Sequence, residues 1–199
     1  NKIIPFLDNL SPEAQATQSV NTIYLENNKV IGHNTDIDGF MRSLIETNYK
    51  IEGKKIFILG SGGVVSSLIY ALDKMNVSKI IISNRTQSKA ENLKNLFKDI
   101  YIIEWGKVPS FDVIINATSL GLNDNDKIEL DFSSVGKNKF FYDIIYNPKE
   151  TEFLKLGKKL GNKTENGMMM FVYQAQKSFQ KWFKVNPKVD QKVMDLLND

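Results

Sequence analysis

The chain of 199 residues contains no cysteine and a single histidine, His33. Without cysteine there is no disulfide and no thiolate-held metal in this stretch, and one histidine rules out a multi-histidine metal cluster. Charge of one sign is also scarce. Lys and Arg total 26 against 23 Asp and Glu, the net charge is +3, and no basic run exceeds two residues. That is too mild and too scattered for a nucleic-acid footprint. No apolar run approaches the ~20 residues of a membrane helix, and the first residues lack the charged-then-apolar pattern of a secretory leader. The expectation is a cytoplasmic, soluble protein with no metal, no nucleic-acid partner and no membrane partner. A hydrophobic content of 42% with 25% charged residues is enough for a packed core and argues against disorder.

What is present begins with Gly60-Ser61-Gly62-Gly63. The turn lies between an apolar run at 55–59 and a helix-like run at 64–74. A buried strand, a tight glycine turn and a helix whose amide-rich start meets a pyrophosphate make a dinucleotide-binding layout. The third small residue of the G-x-G-x-x-G fingerprint would fall on Val65, so the turn by itself also reads as a plain loop. A second signal lies at the tip of the next strand, where Ser83 is followed by Asn84-Arg85-Thr86, with Lys89 one helical turn on. A free ribose 2′-hydroxyl calls for an acid there and a 2′-phosphate for a cation. The expected cofactor is NADP.

The flanking pattern predicts an α/β fold with a Rossmann-like, doubly wound parallel sheet. Strands are expected at 55–59, 79–83, 100–103, 112–116 and 140–145, with helices at 36–47, 64–74, 88–97 and 149–160. Before them come a helix at 11–16 and a hairpin, with 20–25 and 30–32 as arms and 26–29 as the turn. After Gly161 and Asn162 the tail reads as two helices, 168–183 and 189–197, with no strand between. The change from alternating strands and helices to helices alone suggests that the tail leaves the nucleotide domain.

Four polar clusters fall at predicted strand ends or turns: Val20-Asn21-Thr22, Asn34-Thr35-Asp36, Asn116-Ala117-Thr118-Ser119, and the stretch from Gly167 to Gln174. Open α/β sheets bind ligands at the carboxyl ends of their strands, which favours the third cluster. Taken singly, each has a plainer reading. Residues 116–119 make a strand-to-loop turn, Asp36 caps the helix after it, and Gln174 is a solvated amide. His33 is a loop residue without an evident partner, and Met168-Met169-Met170 fills core.

Together the clusters resemble the shikimate dehydrogenase family. The matching pieces are Ser19-Val20-Asn21-Thr22, Gly32-His33-Asn34-Thr35-Asp36, the 60–63 turn, Asn84-Arg85-Thr86, Asn116 to Gly121, Tyr146-Asn147-Pro148 with Thr151, and Gly167 through Met170 to Gln174. They follow the family's order and spacing over nearly the whole chain. The resemblance implies reduction of 3-dehydroshikimate to shikimate by NADPH, with Asp36 catalytic and Asn21, Asp36, Tyr146 and Gln174 holding substrate. It implies that Gly60, Ser61, Gly62, Gly63, Val64, Asn84, Arg85, Thr86, Lys89, Asn116, Thr118, Ser119, Leu122, Gly167 and Met170 hold the cofactor. It further implies a monomer or homodimer, and a division into 1–35 as the remnant of a substrate-binding domain, 36–166 as the NADP-binding domain and 167–199 as helices returning to the substrate domain. Several departures stand out. Val64 and Val65 occupy positions where the family has small residues, and Met169 replaces a common glycine. The family's acid/base lysine would fall immediately before Asn1, and Lys2 is out of register. The expectation is an N-terminally truncated chain that is by itself inactive. The competing readings are an NAD-preferring quinate/shikimate dehydrogenase and a non-catalytic NADP-binding module; a methylenetetrahydrofolate dehydrogenase shares the architecture but not the Asn-Thr-Asp cluster.

Overall fold

The computed structural model describes residues 2–123 and 126–197. Its first part is small. A 3₁₀ turn, Ile4–Phe6, leads into strand β1 (Asn9–Leu10) and helix α1 (Pro12–Thr17). Ser11 is the N-cap of α1, its hydroxyl accepting from the Ala14 amide at 3.3 Å, and Gln18 ends the helix in a left-handed conformation. Strands β2 (Thr22–Glu26) and β3 (Lys29–His33) then form the hairpin. Its turn is tighter than the sequence suggested. Asn27 and Asn28 make it alone, with φ of 50° and 58°, the signature of a two-residue turn whose twist matches the strands. The resulting sheet runs β1-β3-β2. His33 closes β3 and is 4% exposed, so it is a buried strand end and not a loop residue.

The larger part starts at helix α2 (Asp36–Glu46) and continues through β4 (Lys55–Leu59), α3 (Val65–Lys74), β5 (Lys79–Ser83), α4 (Gln87–Glu91), β6 (Ile100–Ile103), β7 (Val113–Asn116), β8 (Phe140–Asp143), α5 (Glu152–Lys159), β9 (Lys163–Glu165), α6 (Met168–Phe183) and α7 (Gln191–Leu196). The sheet is six-stranded in the order β6-β5-β4-β7-β8-β9, with parallel pairings throughout. The chain therefore winds outward from β4 in one direction, returns, and winds outward from β7 in the other. The crevice between the tips of β4 and β7 is the topological switch point.

The strands alternate between two cores because side chains on a strand alternate faces. Ile56, Ile58, Val113, Ile115, Phe140 and Tyr142 face α2 and α3 in one cluster. Phe57, Leu59, Ile114 and Phe141 join Phe111, Phe132 and Phe153 in the other. Each side chain buried fully contributes about 1.5–3 kcal/mol, so both faces must be covered for the sheet to persist. Val65 lies at 0% exposure within the first cluster, so the start of α3 packs closely with valine where a small residue was expected.

Three boundaries differ from expectation for local reasons. The strand β8 stops at Asp143, because its own carboxylate accepts the Ile145 amide at 3.0 Å and turns the chain outward. Helix α5 starts later than predicted, at Glu152, because Thr151 is its N-cap and accepts from the Leu154 amide at 3.3 Å. The helix expected at 88–97 is split into α4 and a 3₁₀ turn, Asn92–Asn95, beginning at an asparagine of weak helix propensity. Strand β9 was not foreseen. Lys163-Thr164-Glu165 has no apolar pattern, yet it pairs with β8 as a short charged edge strand, of the kind that blunts a sheet edge.

Candidate functional site

At the tip of β4 the Gly60 amide donates to Ser83 O at 2.8 Å, and the Ala117 amide donates to Leu59 O at 2.8 Å. The two strand exits are thus pressed together. Gly60 has φ of 109°, and a Cβ there would lie 2.5 Å from Ala117 O. Glycine at 60 is a demand of the fold itself. Gly62 and Gly63 differ. Their φ is not positive, and a Cβ on either would meet nothing within 4 Å. The protein does not need glycine there; a pyrophosphate brought against the backbone would. The turn opens onto α3, whose N-cap, Val64, supplies no side-chain acceptor to the first-turn amides.

This turn forms one wall of a cavity of about 280 Å³ at the switch point. Gly60, Ser61 and Gly62 line it at the β4 exit, while Asn84, Arg85, Thr86 and Lys89 line the β5 tip. Ala117, Thr118, Ser119 and Leu120 form the opposite wall, and Trp105 closes one end. Asn84 shapes its own tip by donating from Nδ2 to Thr86 O at 2.8 Å. Arg85 and Lys89 are both exposed, with their charges free to meet an anion at the rim.

Asn116 does not line the cavity; it lies beneath, fully buried. Its Oδ1 accepts from the Thr118 amide at 3.1 Å and the Thr118 hydroxyl at 2.7 Å, and its Nδ2 donates to Leu120 O at 3.0 Å. It shapes the loop that carries Thr118 and Ser119. Gly63, Val64 and Leu122 also lie outside the lining, Leu122 being half exposed at 50%. Met170 is 6% exposed and belongs to the core, and Gly167 permits close approach, since a Cβ there would lie 2.0 Å from Ile144 O.

A second constellation is built where β2, β3, α2 and α6 meet. Asn21 Nδ2 donates to Asp36 Oδ1 at 2.7 Å, and Asn21 Oδ1 accepts from the Thr35 amide at 2.9 Å. The Ser178 hydroxyl on α6 bonds those of Thr22 at 2.7 Å and Thr35 at 3.0 Å, locking the four elements together. Asp36 is the first residue of α2 and Thr35 its N-cap, so the carboxylate faces Asn21 and does not cap the helix. Burial raises its carboxyl above the usual carboxylate range, and the Asn21 bond partly offsets this. Gln174 packs over Gly39 of α2, its amide turned to Phe171 O at 2.9 Å. Tyr146 stacks on Phe171 at 4.6 Å between ring centroids, in the loop that leads from β8 to α5.

The sequence reading thus separates into two places: the cavity, with the glycine turn, the cationic tip and Thr118–Ser119, and the Asn21–Asp36 pair with Gln174 and Tyr146. It missed Trp105, Leu120 and Asp143. No motif marks Trp105, which arrives through the sheet order, whereas Leu120 follows Thr118 and Ser119 within the 116–121 cluster. Asp143, an acid ending an apolar strand at Phe140-Phe141-Tyr142, carried a usable signal. Among the described residues there is no cluster of His, Cys, Asp or Glu that could hold a metal.

Sheet order, glycine turn and cationic strand tip define a dinucleotide-binding dehydrogenase of the NADP type. Comparison with known proteins agrees. Residues 43–152 match the family model for shikimate/quinate 5-dehydrogenase. The shikimate dehydrogenase (NADP⁺) of Pelagibacter ubique is 56% identical over 98% of this chain and 74% of its own length. Among solved structures, a shikimate dehydrogenase in complex with NADP⁺ superposes with a TM-score of 0.89 at 32% identity, over 100% of this chain and 74% of that one. A Corynebacterium glutamicum quinate dehydrogenase in complex with NAD gives 0.89 at 28%, over 100% and 74%. The chain belongs to the shikimate dehydrogenase family.

Proposed function

We propose that the chain carries the NADP site and the aspartate side of the substrate site of an enzyme that interconverts 3-dehydroshikimate and shikimate. The observation that carries this reading is the cavity at the switch point, with Arg85 and Lys89 at the β5 tip where a 2′-phosphate would lie. Residues 36–166 hold the nucleotide, and residues 1–35 and 167–199 form the substrate side. Gly60, Ser61, Gly62, Arg85 and Lys89 would hold the reduced NADP, which would supply hydride to the ketone carbon, and the oxygen left there would call for a proton donor beside Asp36. Asn21 and Asp36 supply a fixed donor and acceptor for the ring hydroxyls, with Gln174 and Tyr146 beside them. The carboxylate is already oriented by Asn21, so little ordering is left for the substrate to induce. The partners are then small molecules, in a cytoplasmic protein that is a monomer or homodimer. No helix among the described residues is long and apolar enough to cross a membrane.

An NAD-preferring quinate/shikimate dehydrogenase is the second reading, and the quinate dehydrogenase superposition favours keeping it in view. Calorimetric titration with NADP⁺ and NAD⁺ separates the two. NADP⁺ should bind at least about tenfold more tightly, through charge-assisted bonds to its 2′-phosphate. Equal binding would overturn the NADP reading.

A further inference from the structure

Beneath the cavity floor lies a buried carboxylate that touches neither expected ligand. Asp143 ends β8 at 0% exposure. Its Oδ1 accepts from Asn116 Nδ2 at 3.0 Å and from the Ile145 amide at 3.0 Å, and its Oδ2 accepts from the Thr151 hydroxyl at 2.6 Å. Each partner governs a different segment. Asn116 holds Thr118 and Leu120, and the Thr118 hydroxyl in turn accepts from the Leu120 amide at 3.0 Å. Ile145 begins the loop that carries Tyr146, and Thr151 caps α5. One carboxylate therefore joins the cofactor-side loop to the substrate-side loop.

We propose that Asp143 is a positioning residue that sets the conformation of the 117–120 wall through Asn116, and thereby the affinity for NADP. This deepens the cofactor reading and rests on it. The physical case is one of excess. Three neutral donors converging on one buried carboxylate fix its geometry far better than structural filling needs, and an isosteric apolar residue would leave the Ile145 amide without an acceptor and Asn116 Nδ2 with Leu120 O alone. The groups that meet the carboxylate from β7, from the 145 turn and from α5 are all uncharged: Asn116, Ile145 and Thr151. The titratable groups nearby are Tyr142, whose hydroxyl bonds Ser43 at 2.8 Å, and Glu165 across on β9. Desolvation lifts the Asp143 carboxyl to about 6, so it is ionised at neutral pH and loses its charge in mild acid.

The experiment compares Asp143→Asn and Asp143→Ala with the unaltered chain. Asparagine keeps an acceptor for Asn116 and Ile145; alanine removes it. At pH 8, Asp143→Asn, which keeps the acceptor but not the charge, should bind NADP⁺ roughly threefold more weakly than the parent, and Asp143→Ala roughly tenfold or more. The 2′-phosphate itself titrates near pH ~6, but equally for every variant. The informative quantity is thus the ratio of the parent's affinity to that of Asp143→Asn. It should fall as pH drops through about 6. A ratio that stays constant overturns the proposal. Amide hydrogen exchange gives a cofactor-free readout. Protection factors at Thr118 and Leu120, corrected for the intrinsic pH dependence of exchange, should fall in Asp143→Ala, or in the parent below pH 6 if that variant does not fold. Unchanged protection there, with only Ile145 affected, would leave Asp143 a local structural residue and refute the proposal. Failure of the parent to bind NADP⁺ at any pH would instead sink the cofactor reading, and the exchange data would still decide this one.

Discussion

The glycines at 60 and 62 are neighbours in one turn but answer to different causes, and a pair of substitutions separates them. In Gly60→Ala, an L side chain must adopt φ near 109°, a strained conformation that costs on the order of 1–3 kcal/mol. Its Cβ would also sit 2.5 Å from Ala117 O and 2.9 Å from Ala117 C, both backbone atoms that cannot rotate away. Prising the β4 and β7 exits apart costs a further ~1–3 kcal/mol. A combined loss of roughly 2–6 kcal/mol in a chain of this size lowers the melting temperature by ~4–24 °C. In Gly62→Val the added atoms enter open space, so stability should stay within ~0.5 kcal/mol of the parent. The lost approach of a pyrophosphate should weaken NADP⁺ binding by roughly a hundredfold, or ~2.7 kcal/mol. Differential scanning calorimetry reads the first effect and isothermal titration the second. The reasoning fails if Gly60→Ala melts with the parent, or if folded Gly62→Val binds NADP⁺ unchanged.

Other expectations follow from the same geometry. Arg85→Asp should cost NADP⁺ roughly 1.5–3 kcal/mol of binding while sparing NAD⁺; equal losses for both cofactors would place the 2′-phosphate away from Arg85. In a Trp182→Phe background, Trp105 should change its fluorescence when adenosine 2′,5′-bisphosphate is added, because the indole closes one end of the cavity; an unchanged spectrum at saturation would put the adenine elsewhere. Where shikimate oxidation is measurable, Asp36→Ala should reduce it by ~10²–10⁴-fold, read at the absorbance band of reduced nicotinamide, and full activity would remove Asp36 from the site. Finally, burial raises the Asp143 carboxyl from 3.8 to about 6, so its contribution to stability is complete below the unfolded value and lost as pH rises through the folded one. Asp143→Asn should therefore gain about 2 kcal/mol on the parent between pH 4 and 7, and urea unfolding curves whose difference ignores pH would contradict this.

What was legible in the sequence was whatever depends on local pattern. The strands at 55–59, 79–83 and 100–103 and the helix at 168–183 were read to their ends, because long apolar alternation or helical periodicity leaves little choice. The elements that were misread are governed by single side chains reaching across the chain. Asp143 stops β8, Thr151 delays α5, and β9 exists because β8 offers it a ladder, not because Lys163-Thr164-Glu165 prefers to be extended. The site divides in the same way. Gly60, Arg85 and Thr118 sit at strand tips that the alternation locates. Trp105 reaches the cavity only through sheet order, which no local pattern states. The plain reading of His33 as a loop residue failed because the antiparallel ladder continues to its end, where His33 pairs with Thr22 of β2.

Asn34, fully buried, donates from Nδ2 to Thr17 Oγ1 at 3.1 Å and to Ser67 Oγ at 2.8 Å, while its Oδ1 accepts the Asp36 amide at 3.1 Å. Ser67 lies in the first turn of α3, the helix that rises from the glycine turn. A single amide therefore clamps the hairpin unit, the aspartate and the nucleotide helix to one another. For anyone assembling hybrids of related dehydrogenases, this fixes where the seam may run. A cut near residue 35 that imports a foreign nucleotide half exchanges Ser67 while keeping Asn34. Unless the donor carries a hydroxyl at that position, the hybrid inherits a buried amide with no acceptor on one side. Such hybrids should fail at the joint between their halves even when each half is sound, and restoring serine at position 67 should be enough to repair them.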